Sequence, residues 1–123
     1  MSRKRQSKRI DRVSVFGLGY VGGVISVCMA LKGYKVIGVD IHQKKVEMVR
    51  ESKATFVEPK FKQSLKKAIT SGRLTTTTDH RKAVLDSDVS FVCVGTPSKK
   101  SGTIDLSALK RACRMIGKAL KTK

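Results

Sequence analysis

Apolar residues recur along this chain with two alternating periods. Val13–Phe16 is short, β-branched and apolar, and the glycine-rich GLGYVGG follows it directly. Val24 to Lys32 then has helical character and ends at Gly33, so the first forty residues open as strand, glycine turn, helix. Lys35–Ile41 (KVIGVDI) predicts a second buried strand closing on Asp40. Gln43–Ser52, with Val46 and Val49 on one side and charges on the other, predicts an amphipathic helix. Residues 54–60 contain Pro59 and read as a loop, after which Phe61, Leu65, Ala68 and Ile69 keep helical spacing until Gly72. Arg73–Thr78 (RLTTTT) predicts a weakly apolar strand, and Asp79 is placed to cap a short helix reaching Leu85. Val89–Val94 (VSFVCV) is the most apolar strand, ended by Gly95, Thr96 and Pro97. Residues 99–103 form a polar loop. Asp105 is a second candidate cap, before a helix striped by Leu106, Leu109, Ala112, Cys113, Ile116 and Leu120.

Strands alternating with helices through short loops specify an α/β fold with a parallel sheet covered by helices on both faces. The expected architecture is an incomplete Rossmann-type doubly wound sheet of about four strands in the order 3-2-1-4. Such a half-sheet is expected to leave its first and fourth strands without later neighbours, and exposed edges invite aggregation. Residues 13–123 form this one domain. Residues 1–12 carry six basic groups and one acid, with a single large apolar residue, and are expected to be a flexible basic extension.

Composition adds little to the fold and more to the electrostatics. The chain has 27 Lys and Arg against 9 Asp and Glu, a net charge of +18, and removing residues 1–12 still leaves +13. A field of that sign attracts any polyanion, including nucleic acid and the pyrophosphate of a dinucleotide. The few aromatic residues offer no stacking platform, so a nucleic-acid partner is not expected, and a basic nucleic-acid-associated or non-catalytic Rossmann-like protein stands as the alternative reading. No apolar run approaches a membrane span, and no apolar segment with a cleavage site follows the basic start, so a cytoplasmic protein is expected. Cys28, Cys93 and Cys113 show neither metal-ligand nor disulfide spacing and are expected to pack as small apolar side chains. No metal site is expected.

Gly17, Gly19 and Gly22 form GxGxxG between the first strand and the first helix. In this position the first glycine permits a tight turn, the second lets backbone approach a pyrophosphate, and the third lets helix and strand pack closely. Amide groups at the helix start then face the phosphates. Asp40 ends the second strand 18 residues after Gly22, near the spacing at which a carboxylate accepts from the adenosine ribose. That carboxylate favours NAD over NADP, while His42, Lys44 and Lys45 beside it soften the preference. Thr96, leaving the fourth strand at its carboxyl end, either reaches the cofactor or merely helps Pro97 stop the strand.

The segments VSVFGLGYVGGV, VIGVDI, Val57-Glu58-Pro59, TTD and AVLDSDVSFVCVGTPSKKSGTIDL resemble the nucleotide-sugar 6-dehydrogenases, the last of them the GDP-mannose branch. The resemblance runs from about Val13 to Lys121. It implies oxidation of a sugar nucleotide's C6 alcohol to a carboxylate, using two NAD through a cysteine-bound intermediate in a homo-oligomeric enzyme. By position it also implies that Tyr20, Val21, Asp40, Lys45 and Thr96 contact NAD. Lys60 stands where the family has glycine. The family's later strands, dimerisation helix and sugar-binding domain with its catalytic Cys and Lys find no match here. No catalytic residue is therefore expected in this chain, and no alcohol oxidation by it alone.

Overall fold

The computed structural model describes residues 9–54, 58 and 60–123. Among the described residues nine elements follow one another: β1 (Arg12–Phe16), α1 (Tyr20–Leu31), β2 (Lys35–Val39), α2 (Gln43–Arg50), α3 (Phe61–Thr70), β3 (Leu74–Thr77), α4 (His80–Leu85), β4 (Val89–Val92) and α5 (Ser107–Lys121). The strands form one parallel sheet in the order β3-β2-β1-β4, as the alternation of periods implies.

β1 lies between β2 and β4, in register Val13 with Val36 and with Val89. Both of its faces are covered, which is why VSVF reads as an unbroken run and not as an alternating one. Val13 and Val15 join Leu18, Val27, Ala30, Val36, Val46, Val49, Leu65, Ala68 and Leu74 in the larger core, under α1, α2 and α3. Phe16 and Val39 point the other way, into a smaller core with Ala83, Val84 and Ala119 of α4 and α5. Ser14, fully buried in this strand, is satisfied by Ser90 Oγ at 2.6 Å and by the Ser87 hydroxyl at 2.9 Å.

Several sequence expectations shift. The strand edges are β3 and β4, whereas β1 is central and fully paired. β4 is accordingly less buried than its composition suggests, with Phe91 and Val92 each 37% exposed. β1 begins at Arg12, inside the span read as extension: the amides of Asp11 and Arg12 both donate to Asp88 Oδ2, at 3.0 and 3.1 Å. Residues 1–8 of that extension lie outside the described residues, as do Val57 and Pro59 of the Val-Glu-Pro segment. α1 starts at Tyr20 instead of Val24, because the second half of the glycine motif is already helical.

Cys28 and Cys113 are exposed and Cys93 is half-buried, against the expectation that all three are internal. Cys28 lies on the outer side of α1 with Val21 and Leu31, and Cys113 on the outer side of α5. The apolar stripe expected on α5 is only partly covered. Ala112 and Ala119 are buried while Leu106 and Leu120 are exposed, since α5 packs mainly on α4 and the edge strand β4. Asp79 caps α4 as expected, its Oδ1 accepting from the Lys82 amide at 3.1 Å. Asp105 instead binds the amide and hydroxyl of Ser107, leaving Leu106 as the residue before α5. Lys60, where the resemblance in sequence implies glycine, has φ −86°, a value open to any residue.

Candidate functional site: a glycine turn facing a buried carboxylate

The chain leaves β1 at Phe16 and reverses over Gly17 to enter α1. Gly17 has φ +102°, and a Cβ there would meet the Cys93 carbonyl oxygen at 2.6 Å, so both conformation and space demand glycine. A Cβ on Gly22 would fall 1.7 Å from the Gly17 carbonyl oxygen. The first turn of α1 is thus pressed against the end of β1. Gly19 differs: it has φ −79°, and a Cβ would find nothing within 4 Å. Its bareness does not serve internal packing. It keeps open the space in front of the amino end of α1, whose first turn carries no acidic side chain to oppose an anion.

Asp40, one residue beyond β2, lies opposite this turn and is almost completely buried. Its Oδ2 accepts from the Leu18 amide at 2.9 Å, so the carboxylate holds the glycine turn itself. Its Oδ1 accepts from the His42 amide at 2.9 Å and lies 3.0 Å from His42 Nδ1. Burial alone would raise the pKa of this acid. The Leu18 and His42 amides, the His42 ring and the positive charge of Lys45 together outweigh burial and hold it below the ordinary carboxylate value. Asp40 is therefore ionised at neutral pH.

A cleft of about 270 Å³ opens between these features and α5. Among the sequence-predicted residues, Gly17, Gly19, Asp40 and Lys45 line it. Gly22 stands behind Gly17 as the packing contact, while Tyr20 and Val21, 60% and 57% exposed, occupy the first turn of α1 outside the lining. Thr96 is exposed in the loop after β4, and its neighbour Gly95 reaches the cleft instead. The opposite wall was not foreseen. Thr78 and His80 come from the end of β3 and the start of α4, and Ala108, Arg111, Ala112 and Met115 from one face of α5. The spacing of those four along α5 is helical, but nothing local in the sequence reveals which strand end they approach. Cys93 also lines the cleft, and burial pushes its thiol pKa up, which keeps it protonated.

A strand-to-helix glycine turn, an open helix amino end and an ionised carboxylate after the second strand define a dinucleotide-binding domain of the Rossmann type, and the residues present fit such a ligand. The comparisons with known proteins agree. The profile of the NAD binding domain of the UDP-glucose/GDP-mannose dehydrogenase family matches residues 11–123. The chain is 50% identical over 112 residues to GDP-mannose 6-dehydrogenase of Pseudomonas aeruginosa, covering 91% of this chain and 26% of that enzyme. It is 36% identical over 111 residues to a UDP-glucose 6-dehydrogenase of Bacillus subtilis, covering 90% and 24%. The crystal structure of a ternary complex of the P. aeruginosa GDP-mannose dehydrogenase superposes with a TM-score of 0.89 over 91% of this chain and 26% of that one, at 50% identity. A UDP-glucose dehydrogenase from Pyrobaculum islandicum gives 0.88 at 34% identity, over 99% and 28%. The chain belongs to the UDP-glucose/GDP-mannose dehydrogenase family, matching its NAD-binding domain over residues 11–123. It spans about a quarter of the length of the curated relatives it matches. Among the described residues no helix is long and apolar enough to cross a membrane, and no cluster of potential metal ligands occurs.

Proposed function

We propose that this chain is the cofactor-holding part of a GDP-mannose 6-dehydrogenase, which oxidises the C6 alcohol of the sugar nucleotide to a carboxylate. The placement of ionised Asp40 across a cleft from the open Gly19 turn carries the reading. In it, the amides at the start of α1, around Gly19, Tyr20 and Val21, receive the pyrophosphate, and Gly17 and Gly22 hold that turn in place. Asp40 accepts from the adenosine ribose, and Lys45 adds a cation beside it. From the loop after β4 it is Gly95 that lines the cleft, with Thr96 exposed beside it. When bound, NAD would supply the hydride acceptor for that oxidation. In this reading the described residues of the cleft orient the cofactor; Cys93 is kept as the thiol, and Cys28 and Cys113 lie outside the cleft. The GDP-mannose preference rests on the similarity to the Pseudomonas enzymes.

Calorimetric titration with NAD tests the reading. Saturable binding is expected, weakened at least about tenfold by Asp40→Ala in a chain whose circular dichroism is unchanged. Binding that is indifferent to this substitution would refute it.

A further inference from the structure

The adenosine ribose of NAD presents two neighbouring hydroxyls, and an ionised carboxylate offers about four acceptor positions. On Asp40 three are already engaged: Oδ1 by the His42 amide and lies against the His42 ring, Oδ2 by the Leu18 amide. The two backbone donors are fixed by the fold. The ring is not, since the His42 side chain is 63% exposed while that of Asp40 is 7% exposed. The imidazole thus stands at Oδ1, an acceptor that a ribose hydroxyl could otherwise use.

The surroundings of this pair are cationic. Lys45 from α2, His80 from α4 and Arg111 from α5 line the same cleft, and Asp40 is the one carboxylate among the described lining residues. His80 and Arg111 also border an adjoining groove that carries Lys110, Arg114 and Lys118 and no acid. Repulsion between a buried aspartate and a ribose 2′-phosphate ordinarily excludes the phosphorylated dinucleotide. Here a histidine that covers the aspartate and has cationic neighbours reduces that repulsion.

We propose that His42 sets cofactor selectivity, competing with the unphosphorylated ribose for Asp40 and lessening the repulsion that a 2′-phosphorylated one would meet there. The inference rests on the reading of Asp40 as the ribose acceptor.

The test is calorimetric titration of NAD and NADP into the chain and into its His42→Ala and His42→Asn forms. His42→Ala is expected to move the affinity ratio toward NAD by about tenfold. His42→Asn, which keeps a donor beside the carboxylate, is expected to stay closer to the ratio of the unaltered chain. In the unaltered chain, the NMR resonances of the His42 ring are expected to move on addition of NAD as the ring leaves Asp40. A ratio that His42→Ala leaves unchanged would overturn the inference while the binding reading stands. Absence of NAD binding by the unaltered chain would overturn the binding reading, and this inference with it.

Discussion

Gly19→Ala separates a glycine kept for a ligand from one kept for the fold. A methyl group at this position enters open space with φ already at −79°, an ordinary value for any residue. Removing a glycine also narrows the unfolded ensemble, so stability is expected to hold or rise by about 0.4–1 kcal/mol. For a domain of this size 1 kcal/mol corresponds to about 4 °C in Tm. Gly22→Ala is the control with the opposite geometry. Its methyl would stand 1.7 Å from the Gly17 carbonyl oxygen, and the obstructing atom is backbone, so α1 and the turn must separate by more than an ångström. Overpacking of this kind costs about 1–3 kcal/mol, and a drop of roughly 4–12 °C in Tm follows. Thermal melts followed by circular dichroism, paired with NAD titration, read both quantities. The expected result is that both substitutions abolish NAD binding, with Gly19→Ala doing so in a chain at least as stable as the original. If Gly19→Ala binds NAD normally, the open space before α1 is not a phosphate seat.

Asp40 has a pKa below its ordinary value of 3.8, so its contribution to stability is complete above that value and disappears as pH falls through the lower folded-state value. Melts from pH 6 down to pH 2.5 are expected to show the Tm difference between the unaltered chain and Asp40→Asn shrinking below about pH 4. A difference constant across that range would contradict the ionised assignment. Asp79→Ala removes the acceptor for the Lys82 amide at the start of α4 and is expected to cost about 1 kcal/mol, measured by urea unfolding. Under native conditions at pH 8, Cys28 and Cys113 are expected to react with a disulfide reagent well before Cys93, whose thiol burial holds protonated, and added NAD is expected to protect Cys93 further. Mass mapping of the labelled cysteines decides the order.

The sheet and its order were legible because the parallel strands leave short β-branched runs at the right intervals, and the glycine motif sits between the first of them and a helix. Asp40 was legible for the same reason, its distance from the motif being set by one helix and one strand. The first turn of α1 was harder to place, since Gly22 and Gly23 depress helical propensity where tertiary contact with Gly17 demands a helix. The far wall of the cleft was hidden. Arg111 and Met115 reach it only because β4 returns beside β1 and carries α5 across the sheet, a consequence of long-range pairing. The exposure of Cys28 and Cys113 was missed because an apolar sequence neighbourhood marks a helix face without saying whether anything covers it.

The most direct test of the account is an NMR titration of the uniformly labelled chain with NAD, following every backbone amide. Shifts concentrated at Gly17, Gly19, Tyr20, Val21, Asp40 and His42 are the predicted result. Shifts confined to the basic outer face of α5, or no shifts at saturating NAD, would contradict it.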